Sequence, residues 1–203
     1  MIILSHRGFW RSEAEKNTTV AFERTVSGGW GTETDVRDLM GDLVVSHDPA
    51  TLGATPWMSV LEIFDGSGLP LAVNIKADGL SRAIKAAFAG REIDWFAFDM
   101  SGPETVRYAE AGLPYFTRHS DIESAPVLYD GSAGVWLDCF GPLWFDAEVI
   151  RRHVGHGKRV CVVSPELHGR NPETLWPMLD DFRTEDRVML CTDLPDRAAD
   201  RFQ

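Results

Sequence analysis

The sequence predicts a (β/α)8 barrel, a single α/β domain over residues 1–203. Three observations predict it: eight short apolar runs that read as strands, amphipathic helical stretches between them, and polar or charged residues at the ends of the runs. Strands alternating with helices call for a parallel sheet, and eight is the number that closes a barrel. No Gly-rich dinucleotide fingerprint follows the first strand, which removes the main reason to choose an open doubly wound sheet. A length of 203 residues suits one domain, and no linker or low-complexity tract divides it.

The first run, residues 2–5, is a short strand that ends at His6, Arg7 and Gly8. Asn17 and Thr18 then precede a helical pattern with Val20, Ala21, Thr25 and Val26 on its apolar side and Gly28-Gly29 at its end. The stretch from Trp30 to Pro49 carries the densest chemistry. Glu33 and Asp35 lie two apart in a Thr- and Val-rich run, so a strand puts both carboxylates on one face. Burying that pair is costly unless a cation or hydrogen-bond donors compensate, and two carboxylates on one wall point to a divalent cation. Asp38, Met40, Gly41 and Asp42 supply turn chemistry, and Leu43, Val44 and Val45 carry the chain back to His47, Asp48 and Pro49.

A short helix is expected around Val60, Leu61, Ile63 and Phe64, followed by a third strand over residues 71–76 that places Asn74 and Lys76 on one face. Helices over 80–88, 104–111, 147–154 and near 174–182 then separate strands over 95–99, 114–118, 135–140, 160–164 and 188–192. Residues 121–132 read as irregular, with a short helical turn.

The formal net charge of −11 argues against nucleic acid as a general partner, because phosphate binding needs a basic face. An anionic substrate must be met by a few well-placed cations. The N-terminal MIILSHRGFW has neither a signal-peptide core nor a spanning segment, and no basic or aromatic-rich amphipathic helix points to a membrane, so a cytoplasmic protein is expected. Cys139, Cys161 and Cys191 each sit in an apolar run without CxxC spacing, as reduced core thiols do.

In a barrel the active site forms at the C-terminal ends of the strands. Those ends carry His6 and Arg7, Glu33 and Asp35, Asn74 and Lys76, Asp99, Arg118, Asp138, Ser164 and Glu166, and Thr192 and Asp193, with His47 just beyond. Two histidines, two carboxylates and two cations gather on the first three strands alone. Arg118 and Glu166 are candidates for substrate contact, and a mutual ion pair across the rim explains them equally well. Trp10, Trp136 and Trp144 are platforms or packing residues. His153 and His156 read as exposed near a helix end, and His168 carries no assignment.

The segments His6-Arg7-Gly8, Asn17-Thr18 with Ala21-Phe22, Glu33-x-Asp35, Val44-Val45-x-His47-Asp48 and Ile75-Lys76, in this order and spacing, resemble those of the glycerophosphodiester phosphodiesterases, within the phosphatidylinositol phospholipase C-like phosphodiesterase superfamily. Thr192-Asp193-Leu194-Pro195 resembles that family's closing TDxP segment. The resemblance implies a (β/α)8 barrel and metal-assisted cleavage of a small phosphodiester, with Mg2+ or Ca2+ as cofactor. It implies His6 and His47 as the acid/base pair, Glu33 and Asp35 as metal ligands, and Arg7 with Lys76 as a phosphate cradle. A substrate hydroxyl beside the phosphate would attack first and give a cyclic phosphate.

Two positions depart from the family pattern. Lys16 stands where a Glu usually precedes Asn-Thr, and Asn74 takes the third ligand position, where the family has Glu. An amide oxygen suits a hard cation but brings no charge. Two alternatives follow: a phospho-ligand binding protein of the same fold without turnover, and a sugar-phosphate aldolase or isomerase. No inserted subdomain fits between the third strand and the next helix.

Overall fold

Apolar runs too short for helices pair as strands, and the longer amphipathic stretches between them pack as helices on the sheet's outer face. The structure is a computed structural model that describes all 203 residues. In chain order it holds β1 (Ile2–His6), α1 (Thr19–Ser27), β2 (Gly31–Leu39), β3 (Asp42–Val45), β4 (Thr55–Pro56), α2 (Trp57–Phe64), β5 (Leu71–Ile75), α3 (Ser81–Phe88), β6 (Trp95–Phe98), α4 (Gly102–Glu110), β7 (Phe116–His119), β8 (Gly134–Leu137), α5 (Ala147–Gly155), β9 (Arg159–Val163), α6 (Trp176–Leu179), β10 (Val188–Thr192) and α7 (Pro195–Phe202).

Eight of these strands run parallel in the order β7-β8-β9-β10-β1-β2-β5-β6. The two outer strands, β6 and β7, do not share a ladder. A single parallel bridge, Ala97 to Tyr115, and a 2.9 Å hydrogen bond from Ala97 N to Pro114 O join them. What is present is a mostly parallel eight-strand sheet; the closed ladder expected of a (β/α)8 barrel is not formed between β6 and β7. β2 outruns the sheet: its last residues pair antiparallel with β3, Val36 opposite Val45 and Leu39 opposite Asp42. The turn between them puts Met40 and Gly41 at positive φ (54° and 97°), the twist a tight hairpin needs.

One apolar cluster lies inside the curve of the sheet and draws on every parallel strand except β2: Leu4, Ala72, Phe96, Phe98, Phe116, Trp136, Cys161, Val163, Met189 and Cys191. Phe96 of β6 stacks on Phe116 of β7, centroids 3.6 Å apart, so side chains cross the seam where the backbone ladder lapses. β2 has turned its inward positions over to carboxylates. Two further clusters fill the layer between sheet and helices.

Several local expectations shift. In α1 it is Phe22, with Ala21 and Thr25, that is buried, while Val20 is 52% exposed, so the apolar stripe keeps Ala21 and Thr25 but takes in Phe22 in place of Val20. The expected helix near 174–182 is broken into a short α6 flanked by two 3-10 turns, as Pro172 and Pro177 require. The expectation lacked α7, although Pro195 opens it and Ala198 and Phe202 bury one face. The three cysteines are free and buried. No helix is long and apolar enough to cross a membrane.

Candidate active site

The site is assembled by tight backbone crossings at the ends of β1 and β2. Arg7 adopts a left-handed φ of 59° and Gly8 one of 83°, which turns the chain sharply out of β1. A Cβ on Gly8 would lie 2.7 Å from that of Ala21, so α1 crosses here only because position 8 is glycine. Asn17, also at positive φ (61°), donates its N–H to Arg7 O. Its side chain donates to Asp35 Oδ2 at 2.9 Å and accepts from Thr34 Oγ1, while Thr18 caps α1. The Asn-Thr pair thus orients a carboxylate and starts a helix.

β2 and β5 pair in parallel with Asp35 beside Asn74, so Glu33, Asp35 and Asn74 share the inner face. All three are buried. Arg7 Nε lies 3.0 Å from Asp35 Oδ2, and Lys76 Nζ lies 3.5 Å from Asp35 Oδ1. Asn74 Nδ2 donates to Glu33 Oε1 at 3.3 Å. Burial, reinforced by the Asp35 carboxylate, pushes Glu33 up to about 7, against the pull of His6, Arg7 and Lys76.

The two histidines are held alike. His6 Nδ1 donates to Asp193 Oδ1 at 2.7 Å, which leaves Nε2 facing Glu33 Oε2 at 3.8 Å. His47 Nδ1 donates to Asp48 Oδ1 at 2.9 Å, and its side chain is 46% exposed at the rim. Each imidazole has one nitrogen on a carboxylate and Nε2 free.

These residues line one cavity of about 350 Å³. Of the catalytic, metal, phosphate and substrate candidates read from the sequence, His6, Arg7, Glu33, His47, Asn74, Lys76 and Arg118 line it; Asp35 lies beneath, buried by its partners. The other wall holds Asp99, Trp136, Asp138, Phe140, His168 and Asp193. Arg118 is held by three carboxylates, Asp99, Glu123 (3.2 Å) and Asp138 (3.4 Å), rather than by Glu166. Lys76, Asp99 and Arg118 also wall a second cavity of about 250 Å³ that reaches Thr105 and Glu123 at the β6–β7 seam. Glu166 does not line the mouth; its carboxylate accepts from Ser164 Oγ, Thr192 Oγ1 and the Asp193 N–H.

His168, unassigned in the sequence, donates from Nε2 to Asp138 Oδ1 at 2.8 Å. It sits on a 3-10 turn after β9, where no periodicity marks an inward residue. Lys16 lies at the mouth with its Nζ 4.4 Å from the Trp10 ring and 3.0 Å from Glu13. His153 is buried rather than exposed: its Nε2 meets His119 Nδ1 at 2.9 Å and its Nδ1 meets the Tyr129 hydroxyl at 2.8 Å. Helix α5 turns this residue under the loop that carries Tyr129.

Three buried oxygens at or just beneath this mouth make no hydrogen bond: Glu33 Oε2, Asp35 Oδ1, with Lys76 Nζ at 3.5 Å, and Asn74 Oδ1. Native proteins rarely leave such groups unmatched, and three on one inner face suit a hard cation that takes oxygen ligands. The donor set is two carboxylates and an amide; no group of three or more His, Cys, Asp or Glu side chains is placed to hold a metal.

Among solved structures, the crystal structure of glycerophosphodiester phosphodiesterase from Agrobacterium tumefaciens str. C58 superposes with a TM-score of 0.67, covering 98% of this chain and 99% of that one at 17% identity. The chain has the fold of a glycerophosphodiester phosphodiesterase. On that phosphodiesterase fold, the cavity lies where β1, β2 and β5 end. A Xanthomonas albilineans dihydropteroate synthase with 4-aminobenzoic acid aligns at a TM-score of 0.47, 16% identity and 98% and 90% coverage, too distant to bear on the site. No protein-family model matches the chain, and no curated protein matches it significantly.

Proposed function

We propose that this chain is a divergent phosphodiesterase of the glycerophosphodiester phosphodiesterase type, that its sheet works as a closed (β/α)8 barrel, and that it cleaves a small phosphodiester with the aid of Mg2+ or Ca2+. The observation that carries the reading is the pairing of two carboxylate-held imidazoles and two cations at one mouth with three buried oxygens, at or just beneath it, that make no hydrogen bond. The interior stack of Phe96 on Phe116 supports closure of the barrel.

Glu33, Asp35 and Asn74 would hold the cation. When bound, it neutralises the phosphate anion and polarises a nonbridging oxygen. Arg7 and Lys76, whose charges already sit against Asp35, are placed to share themselves with phosphate oxygens, the guanidinium through its fork and the ammonium as a point charge. With Nδ1 fixed on Asp193, His6 offers Nε2 as proton acceptor or donor, and His47, fixed on Asp48, does the same from the rim. One takes the proton of the attacking hydroxyl or water, and the other protonates the leaving oxygen. A neighbouring hydroxyl as nucleophile gives a cyclic phosphate, which water then opens. Three buried cysteines outside any disulfide support a cytoplasmic setting.

The experiment is phosphorus NMR of glycerophosphodiesters incubated with wild type, His6→Ala and His47→Ala in Mg2+ or Ca2+. Conversion to monoester, directly or through a cyclic phosphate, is expected in wild type and not in either variant. Equal conversion by all three would end the proposal. One observation favours a second reading, a phospho-ligand binding protein without turnover: Asp35 is already neutralised by Arg7 and Lys76, and Asn74 adds no charge. That reading expects phosphate-ester binding without product.

A further inference from the structure

We infer that Glu166 is a positioning residue that sets the orientation of His6 through Asp193. The inference rests on the phosphodiesterase reading only for its kinetic consequence. Glu166 lies on the turn after β9, outside the mouth, yet its carboxylate is the meeting point of two strand ends.

The proton directions around it are determined. Ser164 Oγ accepts from the buried Trp176 Nε1 at 2.8 Å, so its own hydrogen goes to Glu166 Oε2. Thr192 Oγ1 accepts from Leu194 N at 3.0 Å, so its hydrogen goes to Glu166 Oε1. Oε1 also accepts the Asp193 N–H at 3.1 Å. Three donors on one carboxylate leave that group no freedom to rotate. Glu166 therefore ties β9 to the last residue of β10 and fixes the backbone of Asp193, whose side chain 2.7 Å from His6 Nδ1 decides which imidazole nitrogen faces the mouth. Ser164 and Thr192 are fully buried, while Glu166 and Asp193 are half-buried.

What the clip requires is reach, with charge secondary. An amide at 166 keeps an oxygen over Thr192 and Asp193, whereas a side chain one methylene shorter retracts from both. Proton–nitrogen NMR of histidine-labelled protein, without substrate, tests this. The downfield Nδ1–H proton of His6, identified by its loss in His6→Gln, is expected in wild type and Glu166→Gln and absent in Glu166→Asp. The reverse order, or the resonance in all three proteins or in none, would overturn the inference. In the kinetic arm, Glu166→Asp is expected to lower kcat by roughly 10–100-fold at unchanged KM, the usual cost of losing an outer partner, with Glu166→Gln near wild type. Should wild type turn over no diester while the resonances follow the expected order, the phosphodiesterase reading fails and the positioning role stands.

Discussion

Glu33 concentrates the tension of the site in one side chain. It is buried beside a second carboxylate, with one oxygen unmatched, and so lowers the stability of the protein without a bound cation. Glu33→Gln is expected to raise stability in chelator by about 1 kcal/mol, as substitutions that relax a functional site do, while activity falls by about 100-fold or more; urea melts and initial rates on the same preparation check both. Asn74→Asp, nearly isosteric, supplies the missing third carboxylate. Metal affinity measured by calorimetry is expected to rise by about tenfold, roughly 1.4 kcal/mol. His6, Arg7, Glu33, Asp35, Asn74 and Lys76 were legible in the sequence because strand period and strand ends dictate where a side chain points. His168 and the partnership of His6 with Asp193 were not legible. The latter joins β1 to the far end of the chain, 187 residues away, and only the pairing of β1 with β10 brings the two together; His168 lies on a 3-10 turn, where no periodicity applies.

At the scale of elements, burial follows from packing partners more than from local periodicity. Val20 and Phe22 lie on α1 where either could face the sheet; crossing over Gly8 brings Ala21 and Phe22 inward and leaves Val20 in water. His153 shows the same effect on α5. It is buried among His119, Tyr129 and Arg152, and burial, with the positive charges around it, pushes it down to about 4. Its folded value lies below the unfolded value near 6.5, so folding holds this contribution above pH 6.5 and loses it as the pH falls toward 4. The expected loss is about 2–3 kcal/mol between pH 7 and pH 4. Urea midpoints across that range should fall more steeply for wild type than for His153→Gln; parallel curves would contradict the assignment.

For the whole molecule, eight runs alternating with helices were enough to foresee a mostly parallel eight-strand sheet with its polar mouth at one end. The seam between β6 and β7, spanned by a single bridge, the Phe96–Phe116 stack and the Asp99–Arg118 ion pair, was not foreseeable, since strand periodicity does not say whether two neighbouring strands share a full ladder. α7 was not legible because four of its eight residues are charged and only two positions bury deeply beyond Pro195. The fold carries cations and carboxylates to one mouth despite a net charge of −11, so a phosphodiester substrate, as proposed, would be met by local placement against the overall field. The proposed metal-assisted cleavage of a phosphodiester at this mouth is checked by initial rates on bis(p-nitrophenyl) phosphate, with Mg2+, Ca2+ or chelator, for wild type and for His47→Ala, a rim substitution that leaves the core untouched. The expected result is a wild-type rate that needs the metal and disappears in the variant. A rate that persists in chelator, or one that His47→Ala leaves unchanged, would contradict it.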